Sequence, residues 1–155
     1  IWFCRISMMD IKILNILNDE NIALPSYATP GSAGLDLRSS SKDPIIINPN
    51  ERILVPTGIA IELPQGYEAQ IRSRSGLAFK NGVVVINAPG TIDSDYRGEI
   101  KVILGNLSNE KFTINFGDKI AQMIIAKHEI VNLVMVNDLT NTQRQNGGFG
   151  STGIK

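Results

Sequence analysis

Turn residues interrupt this sequence so often that no apolar run lasts beyond a single strand. Glycine occurs 14 times and proline 7 times, mostly between short apolar runs. Such runs occupy residues 45–47, 52–55, 58–63, 67–72, 83–86, 100–104, 112–116 and 119–127. Asn48-Pro49-Asn50, Val55-Pro56-Thr57-Gly58, Pro64-Gln65-Gly66 and Gly117-Asp118 stand among the breaks. Proline fixes one backbone dihedral and glycine opens the left-handed region, so each break ends a strand. Short strands at near-regular spacing, with almost no helical periodicity, predict an all-β chain: a jelly-roll or β-clip type sandwich. Further strands are predicted over 11–17, 33–38 and 129–136, an extended segment over 24–32, and a single helical turn over 77–80.

The 155 residues suit one domain with a real core. No internal repeat and no second domain is visible. Met8 or Met9 reads as a natural start, so residues 1–8 read as a leader or expression remnant, too short for a secretory signal. Residues 9–138 form the predicted β domain. From Leu139 the chain turns polar and glycine-rich and cannot bury enough surface to fold alone, so residues 139–155 read as a mobile tail.

Charge and composition exclude several classes of function. Fifteen acidic residues balance 15 basic ones, whereas a nucleic-acid binder carries a basic surplus. No apolar run reaches the roughly 20 residues of a membrane span. Cys4 is the only cysteine and His128 the only histidine, too few for a disulfide within the chain or a Cys/His zinc site. His128 sits at the junction of two predicted strands and reads as structural or exposed. Catalysis therefore falls to carboxylates, arginines and a hard metal.

The most specific stretch is Asn87-Ala88-Pro89-Gly90-Thr91-Ile92-Asp93-Ser94-Asp95-Tyr96-Arg97-Gly98, a polar loop between two apolar runs. It holds two acids, an amide and a phenol, the parts of a small polar pocket. If it is extended, Asp93 and Asp95 point to opposite faces and only one can face that pocket. Arg74-Ser75-Gly76 combines a planar cation, a hydroxyl and permissive backbone, which suits a phosphate and equally suits a surface turn; Arg72 adds charge on the same face. Gln122 lies in an apolar run and needs partners, a ligand or a neighbouring strand. Asp36 lies between two leucines; it can accept a hydrogen bond at a turn or hold a metal's water shell. In the tail, Arg144 precedes Gly147-Gly148-Phe149-Gly150-Ser151-Thr152-Gly153, where a lone aromatic among glycines can stack on a flat ring.

Five motifs stand in order: Ser32-Ala33-Gly34-Leu35-Asp36-Leu37, Arg74-Ser75-Gly76-Leu77-Ala78, Gly90 through Gly98, Gly117-Asp118-Lys119-Ile120-Ala121-Gln122, and Gly147 through Gly153. The set resembles the motifs of the trimeric dUTP diphosphatases and covers the chain from about Leu24 to Gly153. The resemblance implies a jelly-roll homotrimer with active sites shared between subunits, hydrolysis of dUTP to dUMP and pyrophosphate with Mg2+, and a cytoplasmic enzyme that keeps uracil out of DNA and supplies dUMP. It implies that Asp93 orients and deprotonates the attacking water. Asn87, Gly90, Thr91, Ile92 and the backbone as far as Lys101 would read uracil, and Tyr96 would pack on the deoxyribose. Arg74, Ser75, Gly76 and Gln122 would hold phosphates from a neighbouring subunit, and Asp36 would hold Mg2+ through water. Arg144, Phe149 and Gly150 would close from a third subunit.

Three positions depart from that pattern. Thr91 replaces a common aliphatic residue, Ser73 a frequent proline, and Gln145 a frequent glycine. The nearest rival, a dCTP deaminase of the same fold, carries a catalytic glutamate about ten residues after the motif aspartate, where this chain has Ile103. A nucleotide-sensing trimer without turnover is a second rival, opposed by the complete set of charged motif residues.

Overall fold

The computed structural model describes residues 8–149. Along them run β1 (Lys12–Asn15), β2 (Ser26–Tyr27), β3 (Leu35–Arg38), β4 (Ile45–Ile47) and β5 (Arg52–Pro56). Next come β6 (Ile59–Glu62), β7 (Tyr67–Arg72), helix α1 (Ser75–Asn81), β8 (Val83–Val85) and β9 (Gly90–Ile92). The last are β10 (Lys101–Asn106), β11 (Phe112–Ile114) and β12 (Lys119–Lys127). The all-β expectation holds, with one short helix.

Pairing is antiparallel throughout, in a five-stranded sheet of order β2-β3-β12-β7-β9, a three-stranded sheet β5-β10-β8, and two strand pairs, β1-β6 and β11-β4. Alternate residues of these strands meet in one core. Leu37, Ile47, Val55, Ile59, Ile100, Leu104 and Ile114 are almost wholly excluded from solvent, and each such side chain contributes roughly 1.5–3 kcal/mol. The β1-β6 pair is fastened at its rim by Lys12, which lies opposite Glu62 and donates to its carboxylate at 3.0 Å. That bond holds the Glu62 carboxyl below the usual carboxylate range.

Three expectations change. The predicted turn over 77–80 is a seven-residue helix beginning at Ser75. Arg74 enters it with extended backbone. Gly82 ends it at φ 64°, its N–H reaching the carbonyls of Ala78 and Leu77, a left-handed closure that glycine adopts without strain. A Cβ on Gly82 would also stand 2.9 Å from the Ser108 nitrogen.

Secondly, residues 129–136 form no strand within the described chain. They have β-forming composition, but a strand needs a partner edge, and propensity reports packing context more than backbone preference. Leu133 and Met135 are almost fully exposed. Thirdly, the polar loop between the runs 83–86 and 100–104 is more than a loop: β8 and β10 pair, but their connection contains β9, which leaves their sheet and pairs with β7 in the other one.

Asn106 shows how this end of the core is locked. Its side chain is buried and fully bonded. The amide nitrogen donates to the Ile47 and Glu110 carbonyls at 3.0 and 2.7 Å, and its oxygen accepts from the Ser108 N–H and hydroxyl at 2.9 and 2.7 Å. Asn106→Leu strands these groups and should lower stability by about 2–4 kcal/mol. Urea unfolding followed by circular dichroism measures the shift; an unchanged midpoint contradicts this account of the lock.

Candidate active site

The structure sorts the predicted residues into two built groups and a tail. The first group is held by register. Asp36 on β3 lies opposite Gln122 on β12, which lies opposite Arg72 on β7. Directly opposed residues share a face. The Asp36 carboxylate is mostly buried and meets Arg74 Nε at 3.3 Å and Lys119 Nζ at 2.5 Å. Arg74 Nη1 also donates to the Lys119 carbonyl at 3.2 Å. One acid therefore aims two cations, and the cluster keeps one net positive charge beside the exposed first turn of α1, Ser75 and Gly76.

Gln122 bonds the segment that leads out of β7. Its amide donates to the Ser73 carbonyl at 2.9 Å, fixing the residue before Arg74. A Cβ on Gly34 would stand 2.8 Å from the Gln122 side-chain oxygen, so the glycine in Ala33-Gly34-Leu35-Asp36 makes space for that amide. Ser73, in place of a frequent proline, accepts the Val85 N–H on its hydroxyl at 2.8 Å, a bond proline could not make. Arg72 stays outside the cluster: it is exposed and its guanidinium turns to Gln70 Oε1.

The second group is a cavity of about 360 Å³ where the chain divides between the two sheets. Thr91 and Ile92 of β9 form one wall, and Lys101 and Ile103 of β10 the other, with Leu54 beside Ile103. Asp93, Tyr96 and Glu99 close the turn end. Backbone alternation adds a polar edge. The Ile103 carbonyl accepts the Ile86 N–H at 3.0 Å, so odd-numbered residues of β10 direct their backbone groups toward β8. Lys101 does so too, by the two-residue period, but β8 has already ended at Val85.

The turn itself is tightly built. The Tyr96 N–H meets the Asp93 carbonyl at 3.2 Å, and Arg97 Nη1 donates to the carbonyls of Ser94 and Tyr96 at 2.7 and 3.0 Å. The Tyr96 hydroxyl donates to the Glu99 carbonyl at 3.0 Å. A Cβ on Gly98 would stand 2.6 Å from the Tyr96 Cζ, so this glycine is needed for the folded-back ring rather than for backbone freedom. The Asp93 carboxylate is exposed at the cavity rim and enters no ion pair among the described residues. Asp95 does not line this cavity; it faces a separate recess with Ser94, Arg97 and His128, which Asp93 also borders.

Asn87 and Gly90 do not line the cavity; the Asn87 amide nitrogen lies 3.2 Å from where a Cβ on Gly90 would be. Leu54, Glu99 and Ile103 line it without having been singled out as ligands. The signal for two of them was the two-residue period through Lys101, and cross-strand register adds Leu54 opposite Ile103. Arg144 and Phe149 are exposed; Arg144 Nε donates to the Gly147 carbonyl at 2.8 Å, closing a small turn. Gln145 in that turn has φ 48°, the region where glycine is favoured. Gly150 lies outside the described residues. Among the described residues, no three His, Cys, Asp or Glu side chains gather to hold a metal, and no helix is long and apolar enough to cross a membrane.

A family profile described as dUTPase matches residues 20–153. A deoxyuridine 5'-triphosphate nucleotidohydrolase of Hydrogenobaculum sp. (strain Y04AAS1) is 62% identical over 136 residues, covering 88% of this chain and 94% of the relative. One from Anaplasma marginale (strain St. Maries) is 56% identical over 146 residues, covering 94% and 99%. Among solved structures, a mutant dUTPase of Staphylococcus bacteriophage 80alpha with dUpNHpp superposes with a TM-score of 0.85 at 22% identity, covering 95% of this chain and all of that one. A mutant dUTPase from phage phi11 of S. aureus, in which a structural Mg(II) ion is coordinated, superposes with a TM-score of 0.76 at 23% identity, covering 86% of this chain and all of that one. With the first four motifs placed on the described fold and this profile spanning residues 20–153, the chain belongs to the dUTPase family.

Proposed function

We infer that this chain hydrolyses dUTP to dUMP and pyrophosphate, taking the deoxyuridine into the cavity between β9 and β10 and aiming water with Asp93. The observation that carries the reading is the cavity itself: a slot with a backbone edge, an aromatic ring and an exposed carboxylate at its rim.

Hydrolysis at a triphosphate asks for placement and charge neutralisation more than covalent help. Asp93 accepts a hydrogen bond from water and takes its proton, a contribution typically of roughly 10²–10⁴-fold. Arg74, with the N–H groups of Ser75 and Gly76, holds phosphate oxygens. Asp36 keeps Arg74 aimed. A carboxylate has about four acceptor positions; Arg74 and Lys119 approach one oxygen each, which leaves Asp36 able to hold a cation's water. Asp36 would be the residue to hold a magnesium ion, through water, since such an ion takes few protein ligands; the ion would supply charge neutralisation for the phosphates. Arg144, Phe149 and Gly150 form a lid that excludes bulk water from the closed site.

Base choice follows from rigidity. Uracil and thymine differ by one methyl, which attraction alone discriminates by only about 1–3 kcal/mol. A wall with no space for the methyl adds a steric penalty. Cytosine presents an amine to the backbone donor that uracil's carbonyl satisfies, leaving two donors face to face. Tyr96 packs on the sugar and leaves no space for a 2′-hydroxyl. Deamination is the weaker reading, because Ile103, on the cavity wall where that chemistry needs a glutamate, has no group to move a proton. Pyrophosphate release from dUTP, dTTP, dCTP and UTP tests the assignment: release from dUTP alone supports it, and ammonia from dCTP sinks it.

The working unit is a homotrimer. The Arg74 cluster contributes no residue to the cavity lining, which supports a site whose phosphate half and nucleoside half come from different copies. Ile130, Val131, Leu133, Val134, Met135 and Leu139 are exposed, and an apolar run of this kind fits a contact between copies.

Two outcomes follow. Asp93→Asn and Arg74→Ala should each lose most turnover alone, whereas a co-refolded mixture should regain a clear fraction, because mixed assemblies contain sites with both native residues. No recovery in the mixture, with trimers confirmed by sedimentation, contradicts sharing. Deleting Arg144 onward should lower kcat by at least about tenfold while leaving the thermal midpoint unchanged, since the described residues of that stretch, 144–149, take no part in the core. Normal turnover in the shortened chain removes the lid.

A further inference from the structure

We propose that Glu99 is a positioning residue that fixes the width of the deoxyuridine cavity and thereby its refusal of a methylated base. The proposal rests on the reading of that cavity as the nucleoside site. Glu99 lies on the cavity wall with its side chain only 22% exposed. Its three oxygens hold three different elements. Oε1 accepts the Gly58 N–H at 2.9 Å, Oε2 lies 3.4 Å from Lys101 Nζ, and the backbone carbonyl accepts the Tyr96 hydroxyl at 3.0 Å. Tyr96 and Lys101 both border the cavity, so one residue ties both to a common anchor.

That anchor cannot easily yield. Gly58 is buried at φ 71°, where a Cβ would stand 2.7 Å from Ile22 Cδ1 and 3.1 Å from the Ser40 Cβ. Its carbonyl accepts the Ile16 N–H at 2.9 Å. The residue after Glu99 is pinned to the same corner: the Ile100 N–H meets the Ile59 carbonyl at 2.8 Å, and the Thr57 hydroxyl donates to the Ile100 carbonyl. Without the carboxylate, the Gly58 N–H loses its partner and Lys101 is released. On the β10 side the turn is then held through Ile100 and no longer through Gly58, and this wall can give way by the width of a methyl group. Steric refusal works only while the wall does not move.

The test is the kinetics of Glu99→Ala, Glu99→Asp and Glu99→Gln beside the native trimer, with dUTP and dTTP as substrates and thermal unfolding as control. For Glu99→Ala, the ratio of kcat/KM for dUTP to that for dTTP should fall about tenfold or more, with KM for dUTP rising more than kcat falls. Glu99→Asp keeps the charge but not the reach, so it should lose the ratio too, even if the alanine variant fails to fold. Glu99→Gln retains an oxygen for Gly58 and should keep most of the ratio. An unchanged ratio in the alanine and aspartate variants overturns the proposal, whether kcat stays native or falls equally on both substrates. Tyr96→Ala separates this failure from that of the underlying reading. If it raises KM for dUTP while the Glu99 variants keep the native ratio, only the role of Glu99 is lost. If it too leaves KM unchanged, the cavity is not the nucleoside site.

Discussion

The fold depends on one parting of strands. β10 pairs with β5 along most of its length, but with β8 only over its last three residues. After Val85 the chain leaves that sheet, and β9 joins β7 in the other. The early part of β10 is left with backbone groups directed at a neighbour that is no longer there. An open edge of this kind can take a partner, and a flat heterocycle with alternating donors and acceptors is a suitable one. The cavity exists because two sheets share one connection and cannot both keep it.

A second constraint is electrostatic. Cations can serve an anionic ligand only if they are aimed, and long side chains lose entropy when aimed. Here Asp36 does the aiming from a position set by strand register, and Gln122 holds the peptide that leads into Arg74. The motif residues that never touch a ligand gain a role in this arrangement. Gly34 yields space to Gln122, Gly98 yields space to Tyr96, and Ser73 takes a backbone N–H of β8.

Much of this was legible in the sequence because turn chemistry is local. Proline and glycine breaks placed most strands, and residues 45–47 and 119–127 coincide with the observed β4 and β12. Asp93 lines the cavity and Asp95 does not; alternation does not decide this, because the chain turns at Ser94 and Asp95, and it was the motif resemblance that singled out Asp93. What stayed hidden depends on long-range pairing. The departure of β9 to another sheet cannot be read from residues 87–98, because only the position of β7 decides it. Leu54 enters the cavity through register with Ile103, some fifty residues away. Residues 129–136 misled for the same reason: their composition is that of a strand, and the edge that would pair them is not in the described chain.

The proposed nucleotide selection depends on the base sitting in the slot between β9 and β10. A crystal structure of the trimer with a non-hydrolysable dUTP analogue measures this directly. The base should lie between Thr91 and Lys101 against their backbone, with the Tyr96 ring on the sugar and a water between the Asp93 carboxylate and the phosphate chain. A base bound elsewhere, with Asp93 turned from the phosphates, would contradict it.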